Sequence, residues 1–256
     1  MRRVVDGFVY ANNEPDHPLA GAQVGARVRL PSFDPPWIVL HHRLDVVRPA
    51  RWPGRLFRVR SVPAETEEER VALEAAGWNL RTDASYRRVF AVDVLAELSP
   101  ALLFGPNGAA VVEVLDRADR LTEVVARDLA AARHPGAAGA YRRAWERWLS
   151  GQPNGAAYRD GDHSGVLAVP GASPAGSPIG IGFAAISICV TASARQRAGS
   201  AAFIFDEDDD EELLVEPWST AGAALIEAAM ALGAPELVDE ADRAALTAAW
   251  RAIRRS

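Results

Sequence analysis

The chain has 256 residues, of which 49% are hydrophobic, 24% charged and 7% aromatic, and its formal net charge is −6. That is the composition of a globular protein with a real core, long enough for one large domain or two small ones. All 28 basic residues are arginine, which excludes Schiff-base lysine chemistry, a P-loop lysine and a kinase-type phosphate lysine.

Abundant alanine without lysine is the mark of a GC-rich, bacterial genome. The single cysteine, Cys189, excludes an intrachain disulfide and any zinc or iron–sulfur site built mainly from thiolates. It stands in the apolar run "AAISICVTA" with no neighbouring base, the setting of a buried, inert thiol.

The opening "MRRVVDGFVYANNEPDHP" carries two arginines but no apolar stretch of signal-peptide length. A soluble, cytoplasmic protein is expected. Next come "GFVYA", "ARVRL", "WIVLHHRLDVV" and "RLFRVRSV", β-rich runs separated by Pro- and Gly-rich turns. Thr66-Glu67-Glu68-Glu69 fits a capping box, and Gly77 stops the helix that it opens. "SYRRVFAVDVL" (85–95) returns to strand character. From Asn107 to about Arg133 the spacing of Val111, Leu115, Ala118, Thr122, Val125 and Leu129 predicts a helix, ended by "HPG". In the helix after it, Tyr141, Trp145 and Trp148 recur at i, i+4 and i+7, as core residues do.

The segment 151–178 is the richest in Gly, Pro and Ser and reads as a long functional loop or a domain junction. Strands are predicted around 179–193, 199–205 and 212–217. Two helices close the chain, one capped by Ser219 or Thr220 and one from about 236 with acids early and arginines late. Between Ser164 and Ala194 no residue is charged, but Pro170, Pro174, Pro178 and several glycines interrupt the run, so no membrane span is expected. The fold class is α+β: a β-rich start, central helices, then a small antiparallel sheet and two C-terminal helices. Its parts are 1–150, 151–178 and 179–256, or one integrated domain.

The acidity is concentrated in one run, "FIFDEDDDEELLVE" (203–216). A calcium loop beginning at Asp206 would want glycine and glutamate where Glu211 and Pro217 stand. A hairpin between "AAFIF" and "ELLVE" explains the run without a ligand, its acids solvated and blunting a strand edge. Divalent-metal binding through Asp206, Asp208 and Asp210, or partner contact through Asp208, Asp209 and Asp210, are the alternatives. The natural counterpart is "RPARWPGRLFRVR" (48–60), in which Arg51, Arg55 and Arg58 interleave with Trp52 and Phe57. Such a mixture suits phosphate contact and base stacking, but the chain has no overall basic excess, so no nucleic acid is expected. Pairing with the acidic run, within one chain or between subunits, is the other use for these arginines.

Three further patterns carry chemistry. Asp160-Gly161-Asp162-His163-Ser164-Gly165 places oxygen ligands and glycine as a calcium loop does, with Asp160, Asp162 and Ser164 as ligands. However, Gly171 occupies the position of the bidentate acid. "GDHSG" also resembles the Gly-Asp-Ser-Gly-Gly motif of chymotrypsin-like serine proteases. That resemblance implies His41 and Asp93 as triad partners, while the helical middle of the chain argues against a double β-barrel. His41 and His42 point to opposite faces of a strand, and His17 could join one of them at a metal or catalytic site.

Gly180-Ile181-Gly182-Phe183-Ala184-Ala185 satisfies G-x-G-x-x-A, and Asp206 follows at a distance suited to a ribose hydroxyl. Over about 40 residues this resembles short-chain dehydrogenases, and the resemblance implies NAD(P) held by Gly180, Gly182 and Asp206. The Tyr-x-x-x-Lys pair of that family cannot exist here, and two buried antiparallel strands fit the same letters.

The reading that follows is a binding protein, an accessory or immunity-type partner of another protein or a self-associating one, with no cofactor. Its alternative is a small enzyme or nucleotide-binding protein with its site at 151–182, where Asp160, Asp162, His163 or His41 would converge on a pocket using a divalent metal or NAD(P).

Overall fold

The computed structural model describes residues 4–77, 86–151, 178–206 and 210–254. The architecture is α+β, as expected, and the chain divides into two compact units, Met1–Leu103 and Phe104–Ser256.

Among the described residues, the first unit is one antiparallel sheet with a helix. Its strands are β1 (Asp6–Asn12), β2 (Arg27–Arg29), β3 (Ile38–His41), β4 (Gly54–Ser61), β5 (Tyr86–Val89) and β6 (Ala91–Leu98), and its helix is α1 (Glu67–Gly77). The strand order is β2-β6-β4-β1-β3-β5. Strand periodicity sends Gly7, Val9 and Ala11 of β1 to the buried face, where Ile38, Leu40, Phe57, Val59, Val92 and Val94 join them. Each large aliphatic side chain buried this way contributes about 1.5–3 kcal/mol. The opposite face carries cross-strand charge pairs. Arg60 lies opposite Asp6, and Arg27 lies opposite Asp93. Gly7 is needed where β1 meets β3, because a Cβ there would overlap the Leu40 side chain and the His41 carbonyl oxygen.

α1 begins as its sequence signature predicts. Thr66 Oγ1 accepts from the Glu69 amide at 3.1 Å, and the Glu69 carboxylate accepts from the Glu65 amide at 2.9 Å. The long run "WIVLHHRLDVV" keeps only four residues as strand, and a short 3-10 turn follows at Leu44–Val46.

Among the described residues, the second unit is helical apart from one hairpin. In chain order it holds α2 (Gly108–Asp119), α3 (Glu123–Ala132), α4 (Ala137–Ser150), α5 (Pro178–Ala198), β7 (Phe203–Asp206), β8 (Glu211–Leu214), α6 (Trp218–Gly233), α7 (Glu240–Leu246) and α8 (Ala248–Ile253). α6 is the central helix, packed against α2, α3, α4, α5, α7 and α8. Its sequence "WSTAGAALIEAAMALG" is apolar nearly all round, as a helix buried on every side must be. Small residues let the neighbours come close. Gly182 of α5 and Gly233 of α6 both face Val111 of α2, where an added Cβ would lie 3.0 Å and 2.7 Å from its methyl groups.

Three expectations are corrected here. The strand predicted around 179–193 is helix α5. Its buried positions Gly182, Ile186, Cys189, Val190 and Ser193 follow a helical period, and packing against α2 and α6 overrides the β-branched letters of "ISICVT". The helix predicted over 107–133 is two, because Thr122 opens α3 by accepting from the Val125 amide at 3.3 Å. The last helix starts later than 236, capped by Asp239, which accepts from the Asp242 amide at 2.8 Å. It then breaks at Thr247, whose hydroxyl donates to the Arg243 carbonyl at 2.7 Å. No helix among the described residues is long and apolar enough to cross a membrane.

Candidate functional site

The acidic run forms a hairpin in the second unit. β7 and β8 pair antiparallel, Ile204 opposite Leu213, Phe205 opposite Glu212 and Asp206 opposite Glu211. Asp210 leads into β8 with a φ of +53°, the left-handed conformation that an aspartate tolerates better than most residues. Glu207, Asp208 and Asp209 lie outside the described residues.

Among the described residues no third strand joins this sheet. Ile204, Phe205 and Leu213 are 56%, 59% and 41% exposed, three large apolar side chains within one short hairpin. The base is fixed more firmly. The Val215 amide donates to Ala202 O at 3.0 Å, the Arg195 guanidinium lies 4.4 Å over the Phe203 ring, and Arg195 also pairs with Glu212. Ile204 and Leu213, directly opposite each other, are therefore exposed on one face of the hairpin with Asp206 and Glu211, and Phe205 on the other face with Glu212. Among the described residues no three His, Cys, Asp or Glu side chains come together as a metal site.

The arginines of 48–60 are engaged inside the first unit. Arg51 pairs with Glu14, and Arg55 grips Glu97 through two bonds of 2.9 Å and 2.7 Å. Arg58 and Arg60 share Asp6 at 3.2 Å and 2.7 Å. Arg60 is the main reason that the Asp6 carboxyl is held below the ordinary aspartate range, and Arg55 does the same for Glu97. Arg55 also sits 4.7 Å over the Phe57 ring. Trp52 is half-buried beside these residues in the sequence.

His41, at the end of β3, lines a cavity of about 260 Å³ in the first unit, and His17 lines it too. Tyr10, Trp37, Val47 and Arg48 complete much of the wall. The polar atoms around it are largely committed: Tyr10 donates its hydroxyl proton to Arg51 O at 2.9 Å, and Trp37 donates its indole proton to Phe33 O at 3.0 Å. His17 Nδ1 accepts from the Leu19 amide at 3.1 Å, which places the proton of the neutral ring on Nε2. His41 Nδ1 is buried with no hydrogen-bond partner among the described residues. Burial pushes both imidazoles below the ordinary histidine value. For His41, nearby His42 and Arg48 add to the effect, while Asp16 opposes it at His17. Both rings are neutral near pH 7, able to accept or donate a hydrogen bond.

The pairing of His41 with Asp93 is corrected. β3 and β6 are separated in the sheet by β1 and β4, a span of roughly 14 Å at ordinary strand spacing. Asp93 is instead the partner of Arg27 at 2.7 Å. Gly180 and Gly182 lie inside α5, where Gly182 serves close packing, and Asp206 ends a hairpin strand rather than a parallel one. Asp160, Asp162, His163 and Ser164 lie outside the described residues. Tyr141, Trp145 and Phe183 form a cluster with ring centroids 5.6–6.1 Å apart, with Trp148 edge-on to Trp145 at 5.5 Å. Burial there pushes the Tyr141 hydroxyl up to about 12.

Sequence reasoning allowed His17 to join either His41 or His42, and the cavity that His17 shares is the one lined by His41. The order of strands brings them together, and residue spacing alone carries no trace of it. No protein-family model matches the chain, and neither a curated protein nor a solved structure matches it.

Proposed function

We propose that this is a cytoplasmic binding protein, an accessory partner of another protein, that docks through the β7–β8 hairpin. The observation that carries this reading is the exposure of Ile204, Phe205 and Leu213 on a two-stranded hairpin edged by Asp206, Asp210, Glu211 and Glu212. Exposed apolar side chains rimmed by charge are what an interaction surface requires, and the carboxylates favour a partner segment that is basic as well as apolar. A different protein suits this better than a second copy. The arginines of 48–60, the chain's own basic segment, already hold Glu14, Glu97 and Asp6.

The test is affinity capture with cross-link mapping, comparing the native chain with Ile204→Ser/Phe205→Ser. The reading requires a protein that the native chain retains and the variant loses, cross-linked to 203–214 through an arginine- or lysine-bearing segment. Cross-links elsewhere, or equal retention by both chains, would defeat it. So would a homodimer in sedimentation experiments that the variant dissolves, because the occupant would then be a second copy.

A second reading, a small enzyme or ligand-binding protein, is favoured by the cavity shared by His17 and His41 and by the orphaned His41 Nδ1. Its test is a titration of His41 by NMR during a small-molecule screen. A ligand that moves the His41 and His17 resonances together supports it, and a screen that moves neither counts against it.

A further inference from the structure

A second cavity, in the helical unit, has a volume of about 660 Å³ and is lined by Ala231, Leu232, Pro235, Thr247, Trp250 and three arginines, Arg243, Arg251 and Arg254. Its size is that of a small-molecule site. Most arginines of the described chain face a carboxylate, but two of these do not. Arg243 donates to Pro235 O at 2.9 Å. Arg251 donates from Nε to Thr247 Oγ1 at 2.8 Å, and the Thr247 hydroxyl in turn donates to Arg243 O at 2.7 Å. Neutral oxygens thus hold both guanidinium groups in place without cancelling their charge. Arg254 has a carboxylate only at long range, Glu113 at 3.8 Å.

Trp250 lines the same cavity and is only 5% exposed, so its indole is a fixed part of the wall.

We propose that this cavity binds an organic phosphate, a phosphomonoester whose dianionic head is gripped by Arg243 and Arg251 and whose apolar body rests against Leu232, Pro235 and Trp250. Two positively charged planar forks match the charge and geometry of a phosphate dianion. The apolar lining requires more than the bare ion. The site is separate from the hairpin and stands whether or not the hairpin docks a partner.

The experiment is calorimetric titration of the full chain, at constant ionic strength, with phenyl phosphate, inorganic phosphate and benzoate. The expected result is one site for phenyl phosphate, at least about tenfold tighter than for the other two, and weakened at least about tenfold by Arg243→Gln/Arg251→Gln. Arg243→Lys/Arg251→Lys, which keeps the charge and loses the fork, should weaken binding less, and it still reads the site if the glutamine variant fails to fold. Arg142→Gln/Arg197→Gln, which removes two exposed arginines outside the cavity, should leave binding unchanged. The proposal is overturned by no binding of phenyl phosphate, by equal binding of benzoate or inorganic phosphate, or by equal loss in the Arg142/Arg197 variant.

Discussion

Arg133, just beyond the end of α3, reaches into the helical unit and holds Glu227 of α6, its Nε donating to the two carboxylate oxygens at 3.0 Å and 3.2 Å. Glu227 is 4% exposed on a helix that is otherwise almost wholly apolar. Removing only the arginine strands a buried carboxylate. Arg133→Met is therefore expected to lower stability by about 3–5 kcal/mol, and Arg133→Met/Glu227→Leu to recover most of that loss. Urea denaturation of the three chains measures it, and a loss below about 1 kcal/mol for the single variant would show that solvent reaches Glu227.

The contact between Gly233 and Val111 gives a second prediction. A Cβ at Gly233 would lie 2.7 Å from a Val111 methyl group, so Gly233→Ala requires the Val111 side chain or one of the two helices to shift. The expected cost is about 1–3 kcal/mol, even though alanine is the better helix former. Adding Val111→Ala removes the colliding methyl and should return part of it. Thermal melts of the single and double variants decide whether the two positions are coupled.

The buried imidazoles set a pH dependence for the first unit. His17 and His41 are both held below their ordinary value of 6.5, while unfolding restores that value. Below 6.5 the unfolded chain therefore binds more protons than the folded one, and stability falls as the pH is lowered. The paired carboxylates Asp6, Asp93 and Glu97 act in a lower window. Their arginines hold them below 3.8 or 4.5, so their contribution is lost only as pH falls from those values through the folded ones. His17→Gln/His41→Gln should flatten the stability profile over the interval just below 6.5 and leave the acid limb unchanged. A slope in that interval that survives the double substitution would place its origin elsewhere.

At the start of α1, Thr66→Ala removes the acceptor for the Glu69 amide and is expected to cost about 1 kcal/mol. Glu69→Ala should cost more. The 2%-exposed Glu69 side chain also accepts from the Glu65 amide and pairs with Arg29 at 3.0 Å. Chemical denaturation of the two variants orders them, and a larger loss at Thr66 would reverse this assignment.

Local chemistry was the legible part of the sequence. The capping box at Thr66, the β-rich run of β1 and the hairpin around the acidic run depend on neighbours in the chain, and residue types report them directly. α5 was misread because "ISICVT" has strand letters, while the buried spacing Gly182, Ile186, Cys189, Ser193 is that of a helix. The small residues that mark this face carry little hydrophobic signal. The sequence left open which histidine His17 would join, and it held no sign of the arginine cavity, for another reason. His17 and His41 meet through sheet order, and Pro235, Arg243 and Arg251 through the packing of short helices, so no motif spacing encodes either site.

The hairpin leaves the chain after α5 and returns just before α6, two helices that pack directly on each other. Its two ends are therefore fixed by the helical core, while Ile204, Phe205 and Leu213 of its strands stay exposed. Changes at Ile204, Phe205 or Leu213 can accumulate without disturbing the helices beneath. Such an appendage can diverge rapidly among descendants, so that recognition drifts from one lineage to the next while the scaffold stays the same.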